Sequence, residues 1–269
     1  MPDTIKQQGK KRELLLVADI GNTKIALGIL QHGDVIATWR IATDINRLED
    51  EYSVLLLSLL ANKGISEADI EGVVLCSVVP PLTSVFEELS RVYLGITPLI
   101  VSAGVKTGVR IRMDNPREVG ADRIANAVAG HRLYGGPLII IDSGTATTFD
   151  VISEEGDYLG GAVSPGMGIS AEALNTRTAQ LPRIKLAKPN TCIGKNTITA
   201  MQAGVVFGYA GLIEGLITRI GQELGISPNI IATGGLATFL SEMTPMIRTV
   251  DLNLTLKGIY FIYEMNKSQ

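Results

Sequence analysis

The sequence predicts an α/β protein built as two similar domains, and three observations lead there. Its 269 residues suggest about two domains at roughly 150 residues each. Short apolar runs alternate with helical patterns, as strands alternate with helices in α/β units. A stretch beginning at Leu14 and running through Gly33-Asp34 also returns, ungapped, 123 residues further on, so that Asp19 matches Asp142, Gly21 matches Gly144, and Gly33-Asp34 matches Gly156-Asp157.

Each copy reads the same way in order. The apolar run 14–18 is a buried strand that ends in the tight turn Asp19-Ile20-Gly21. Residues 25–29 are a second strand, Gly33-Asp34 turns the chain, and 35–41 return as a third. In the second copy, 138–141 lead into Asp142-Ser143-Gly144, residues 148–152 form the second strand, and 158–163 follow Gly156-Asp157. Further apolar runs at 73–79, 99–102 and 230–233 read as strands between helices. The breaker cluster Gly135-Gly136-Pro137 places the boundary, giving domains 13–134 and 135–269 after a flexible basic extension, 1–12. The paired Asp-x-Gly turns are expected to face each other across a cleft.

Composition narrows the function classes. Hydrophobic residues make up 46% and charged residues 19%, which excludes a disordered chain, and 29 scattered Gly with 11 Pro exclude a collagen-like one. A net charge of -3 provides no global attraction to nucleic acid or an anionic membrane, so neither is expected as a partner. Two cysteines, Cys76 and Cys192, make no disulfide framework and fit a reducing compartment. The run 14–18 is too short for the apolar region of a signal peptide, so a cytoplasmic protein is expected. Residues 200–217 mimic a membrane span but contain Gln202, Glu214 and four glycines, and are expected to form a buried helix. Gly204, Gly208, Gly211 and Gly215 fall on one face of it, where another backbone can approach.

The chemistry-bearing motifs follow from the repeat. Glycine after a strand lets backbone N–H groups approach a ligand, and Thr23, Thr145, Thr147 and Thr148 add hydroxyls suited to phosphate oxygens. The carboxylates of Asp19 and Asp142 need a bridging cation beside phosphate, Mg²⁺ or a monovalent ion. A single Asp-x-Gly is ordinary turn chemistry, but two copies in register are not. No Gly-x4-Gly-Lys-Ser/Thr loop exists, because Gly194-Lys195 precedes Asn196. Gly166-Met167-Gly168 opens a Gly-rich helix without the downstream acid of a dinucleotide site. In the polar cluster 114–126, Pro116 suits a helix's first turn, with Glu118, Asp122 and Asn126 along the edge of an apolar stripe. Asp122 reads either as a base for a substrate hydroxyl or as an acid paired with Arg123. Gly234-Gly235, after the strand 230–233, is a place for adenine or ribose. His32 and His131 have no partners at zinc-ligand spacing.

Four segments, Asp19-Ile20-Gly21-Asn22-Thr23, residues 115–123, Asp142-Ser143-Gly144-Thr145-Ala146-Thr147-Thr148 and Thr233-Gly234-Gly235, closely resemble type III pantothenate kinase. The resemblance also covers Gly160-Gly161, Gly194-Lys195-Asn196-Thr197 and Ala200-Met201-Gln202, and runs from about Leu14 to Tyr263. It implies two ribonuclease H-like domains of the actin and sugar kinase superfamily around a nucleotide cleft. It also implies transfer of the γ-phosphoryl group of ATP to pantothenate, giving 4'-phosphopantothenate, the first step of coenzyme A synthesis. Carried over by position, Asp19, Ile20, Gly21, Asn22, Thr23, Lys24, Ile25 and Ala26 hold the ATP phosphates, and Thr145 also touches ATP. Asp142 binds potassium or ammonium, and Asp122 accepts the proton. Gly120, Ala121, Asp122, Arg123 and Thr197 contact pantothenate. The family implies a homodimer, for which the glycine-faced helix is the candidate contact.

Two positions depart from the pattern. Met113 stands where a substrate-touching Tyr is common, and Ser143 where Phe is frequent. Two other readings stay open: a nucleotide-sensing regulatory protein on the same fold, and a kinase for another small alcohol. Asp122 separates the first from an enzyme, because a sensor has no use for a base beside an acceptor pocket.

Overall fold

The structure, a computed structural model, describes residues 13–267, so the basic extension 1–12 lies outside it. The first unit contains β1 (Leu14–Ile20), β2 (Lys24–Gln31), β3 (Asp34–Ala42), α1 (Glu49–Ala61), β4 (Ile70–Ser77), α2 (Pro80–Leu94) and β5 (Leu99–Ile100). Its sheet runs β3-β2-β1-β4-β5, antiparallel across the first two pairings and parallel across the last two. Leu14, Leu16, Ala18 and Ile20, alternate residues of β1, meet Tyr52, Leu56, Leu82 and Phe86 of the two helices in one core. Pro80 opens α2, and Gly95 closes it at φ 66°, a left-handed cap that a side chain would strain.

The second unit contains α3 (Ala121–Tyr134), β6 (Leu138–Ser143), β7 (Ala146–Ile152), β8 (Tyr158–Pro165), α4 (Met167–Thr176), α5 (Thr197–Leu224), β9 (Asn229–Thr233), α6 (Ala237–Ser241), β10 (Thr249–Val250) and α7 (Leu254–Asn266). Its sheet order, β8-β7-β6-β9-β10, repeats that of the first unit with the same directions. Ile139 and Ile141 of β6 face Val206, Tyr209 and Ile213 of α5, while Leu138 and Ile140 face the side where Ala127 of α3 and Leu254 of α7 lie. Helices on both faces explain why β6 is an unbroken apolar run rather than an alternating one.

Three expectations change. The chain divides near residue 105/106 rather than 134/135. The reason is α3, whose Ala125 lies so close to Gly258 of α7 that a Cβ on that glycine would overlap the Ala125 carbonyl. That helix belongs to the second sheet, ahead of the Gly135-Gly136-Pro137 breakers. The copies also differ by one residue at the critical turn. Four residues separate the paired Ile20 and Ile25, with the Gly21 N–H bonded to Lys24 O at 3.1 Å, but three separate Ser143 and Thr147, with the Gly144 N–H bonded to Ala146 O at 3.0 Å. The longer hairpin loop between Ile152 and Tyr158, against His32-Gly33 in the first copy, restores the offset and hides the difference from an ungapped comparison. Lastly, α5 is buried on one face only. Met201, Val206, Tyr209, Ile213 and Ile217 are covered, while a Cβ on Gly204, Gly208, Gly211 or Gly215 would meet open space. By length and composition α5 is the one helix among the described residues that could cross a membrane, and its covered face packs on the second sheet.

Candidate active site

In the second unit, the site forms where β6 and β9 end. Asp142 lies near the carboxyl end of β6, opposite Thr148 of β7 and Thr233 of β9. Gly234 follows at φ 89°, and a Cβ there would sit 2.5 Å from Asp142 Oδ1 and 2.6 Å from Ser143 O, so only glycine lets this backbone close over the carboxylate. From α3, the fully buried Asn126 donates through Nδ2 to Asp142 Oδ2 at 3.1 Å, and its own Oδ1 accepts from Thr255 Oγ1 of α7 at 2.8 Å. Burial, reinforced by the negative charge of Asp122, pushes the Asp142 carboxyl up to about 6, against the lowering pull of the Asn126 hydrogen bond. A buried carboxylate raised in this way, with a second acid nearby, makes a natural place for a hard cation.

Asp122 reaches this position through the local chain path. Pro116 opens not the helix but a separate 3₁₀ turn, Pro116–Glu118, and α3 begins after Gly120, at Ala121. Glu118 therefore leaves the helical stripe and accepts from Asn115 Nδ2 at 2.8 Å. Asp122 falls in the first turn of α3, where the N-terminal dipole favours an acid, and its Oδ1 accepts the Arg123 N–H at 2.9 Å. The ion pair between Asp122 and the Arg123 side chain is not formed. Arg123 Nε instead donates to Asp150 Oδ1 at 2.7 Å, and its guanidinium lies 5.7 Å from the ring centre of Tyr158. Asp150 is wholly buried, and also accepts from Tyr158 Oη at 2.6 Å and Thr148 Oγ1 at 3.1 Å.

Beside Asp142, Gly144 and Thr145 are exposed, and the N-terminus of α4 abuts them. The Gly166 N–H donates to Thr145 O at 3.0 Å, and a side chain on Gly166 would strike the carbonyls of Gly144 and Thr145. Tyr209 reaches from α5 to donate to Pro165 O at 3.1 Å and shares a hydrogen bond with the hydroxyl of Thr147. The hydroxyl of Ser143 is buried without a hydrogen-bond partner, a cost of using Ser there.

The remaining candidates fall in three places. In the first unit, Asp19 is the next-to-last residue of β1, opposite Ala26; Gly21, Asn22 and Thr23 form the turn and Lys24 begins β2, with Thr43 Oγ1 donating to Gly21 O at 2.6 Å. Ile20 and Ile25 are buried in that unit's core, so only their backbone is available to a ligand. In the second unit, Met113 is half-buried near Val119 and Ile124, and Gly235 is exposed beside Gly234. Thr197 opens α5, capped by Asn196, whose Oδ1 accepts the Thr199 N–H at 2.9 Å. It lines a groove of about 860 Å³ with Leu174, Leu181, Met201, Gly204 and Gly208, along the exposed glycine face. The structure thus brings Asp122, Arg123, Asp142 and Gly234 together, and places Thr197 on a separate groove.

Among the described residues no cluster of three or more acids, histidines or cysteines could cage a metal. The residues present fit a cation that shares its shell with phosphate oxygens and water. Sequence reasoning missed Asp150, Tyr158, Thr255 and Tyr209. Asp150 had a signal: an acid between Phe149 and Val151 in a strand otherwise apolar towards its end must find buried partners.

A two-unit α/β fold, with the same five-stranded sheet order in each unit, is the class that the structure defines. Solved structures agree on the fold. A conserved putative Baf family transcriptional activator from Campylobacter jejuni superposes with TM-score 0.57 at 18% identity, covering 94% of this chain and 100% of that one. A putative 2-dehydro-3-deoxygalactonokinase from Sinorhizobium meliloti superposes with TM-score 0.54 at 13% identity, covering 93% and 96%. A family model for type III pantothenate kinase matches residues 15–219, and the chain belongs to that family. It is 50% identical over 253 residues to a type III pantothenate kinase of Bacillus cytotoxicus, covering 94% of this chain and 97% of the relative. It is 51% identical over 255 residues to one of Dehalococcoides mccartyi, covering 95% and 97%.

Proposed function

We propose that this pantothenate kinase transfers the γ-phosphoryl group of ATP to the primary hydroxyl of pantothenate, giving 4'-phosphopantothenate for coenzyme A biosynthesis. The observation that carries the reading is half-identity to type III pantothenate kinases along nearly the whole chain. Phosphoryl transfer asks a protein mainly to position groups and neutralise charge. Asp122 accepts the hydroxyl proton, with Gly120, Ala121, Arg123 and Met113 around pantothenate, while Thr197, on its separate groove along α5, reaches pantothenate across the subunit contact of the homodimer. The turn of Asp19 to Ala26 holds the ATP phosphates, Thr145 adds a hydroxyl, and Gly234-Gly235 takes adenine or ribose. Mg²⁺ on the phosphates and potassium or ammonium at Asp142 supply the positive charge that the transferred group needs. A homodimer through the glycine face of α5, in the cytoplasm, completes the reading. An ATP-turnover assay with and without pantothenate, in potassium and in sodium, tests it. Turnover that requires pantothenate and rises in potassium is expected; turnover indifferent to pantothenate refutes the reaction, and equal rates in the two salts refute the potassium site.

A further inference from the structure

Asp150 lies outside every motif that pointed to the reaction, yet it is a wholly buried acid with three donors. Two of those donors control the two ends of one segment. Arg123 is the far end of residues 111–123, which carry Met113 and the start of α3. Tyr158 controls the near end through its backbone: its N–H donates to Arg110 O at 2.8 Å, and its carbonyl accepts the Arg112 N–H at 2.8 Å, forming an isolated bridge with Ile111. The hydroxyl of the same Tyr158 donates to Asp150 Oδ1, the oxygen that also takes Arg123 Nε.

We propose that Asp150 is a positioning residue for the acceptor site, a buried carboxylate that pins both ends of segment 111–123 and sets the direction in which Arg123 presents its terminal nitrogens. Arg123 meets Asp150 through Nε rather than through its terminal nitrogens. The ring of Tyr158 supports the same guanidinium on its face. Thr148 takes the second carboxylate oxygen, so Asp150 cannot rotate away without losing a buried donor. Arg123 and Asp122 are consecutive, so a displaced Arg123 also moves the proton acceptor beside it. Asp142, by contrast, is held by Asn126 and lies outside this clamp.

The inference rests on Arg123 contacting pantothenate, and the test separates the two. Steady-state constants are measured for Asp150→Asn, Tyr158→Phe and Arg123→Ala, each checked for folding by circular dichroism. Asp150→Asn keeps the shape but offers an amide N–H₂ to groups that are themselves donors. Its KM for pantothenate should rise at least about tenfold while KM for ATP stays within about twofold, since misplacement by an ångström is enough for losses of that size. Tyr158→Phe removes one donor and should shift KM for pantothenate the same way, by at least about threefold; it decides the matter if Asp150→Asn fails to fold. A raised KM in Arg123→Ala with unchanged constants in the folded Asp150 or Tyr158 variant overturns the clamp alone. An unchanged KM in Arg123→Ala overturns the acceptor reading and the clamp with it. A uniform fall in activity, with both KM values moved together, marks Asp150 as structural and also overturns the proposal.

Discussion

Replacing Asp122 by Asn separates catalysis from stability, because the structure leaves the side chain little structural work. Its Oδ1 accepts the Arg123 N–H in the first turn of α3, and an Asn oxygen can accept the same bond. No side-chain ion pair is lost, since Arg123 is bound to Asp150. Removing the charge also relieves Asp142, whose raised carboxyl owes part of its shift to Asp122. With the lost helix-dipole contribution set against this relief, the expected stability change is within about 0.5 kcal/mol, a shift of at most about 2 °C in melting temperature. The kinetic change is of another size. Losing a positioned proton acceptor costs about 10² to 10⁴ in rate, or about 2.7 to 5.5 kcal/mol of barrier. Coupled turnover with saturating ATP and pantothenate, beside a melting curve, measures both. A kcat within a few-fold of wild type in a folded variant would refute Asp122 as the acceptor; a large fall in melting temperature would show that its carboxylate holds the helix start instead.

Three further outcomes are expected. Asp142→Ala should lose potassium activation while keeping the fold, because the acid is replaced by a smaller apolar side chain in a site that resisted its charge; retained activation in the variant contradicts the assignment. A Cβ at Gly208 meets no atom within 4 Å, so the monomer of Gly208→Leu should melt like wild type, and light scattering should show a lost dimer if the glycine face of α5 is the subunit contact. Burial, helped by its bond to Asp251 at 2.9 Å, pushes the Tyr134 hydroxyl up to about 12 from the usual 10.0. A folded-state value above the unfolded one means a stabilising contribution complete below pH 10 and lost as pH climbs through about 12. A difference titration against Tyr134→Phe should lack one group with a midpoint near 12, and a missing group near 10 contradicts this.

The strands were readable because the physics that forms them is local. Alternation, Gly turns and an ungapped repeat placed β1 to β3 and β6 to β8 within a residue or two. The motif residues Asp122, Asp142 and Gly234 were legible for a related reason: acids and glycines at strand ends and helix starts are costly unless used. What the sequence hid depends on pairings between distant residues. Arg123 had an acid beside it at Asp122, and only the fold shows that an acid 27 residues later wins it. Pro116 obeyed its preference for a first turn, but the turn was a 3₁₀ turn separate from α3. The breakers 135–137 marked the end of a helix rather than a domain limit, because which sheet a helix packs on is a tertiary matter.

The bond from Thr255 to Asn126, and from Asn126 to Asp142, gives the end of the chain a role in timing. The family match stops at residue 219, yet the donor that orients Asn126 comes from α7, the last helix described. During synthesis every motif that carries the family resemblance is translated before the helix that gives Asn126 its second partner. A chain interrupted before Leu254 would thus carry all the recognisable signatures of a kinase while Asn126, the donor to Asp142, lacked the hydroxyl that orients it, and by sequence motifs alone it would pass for a finished enzyme.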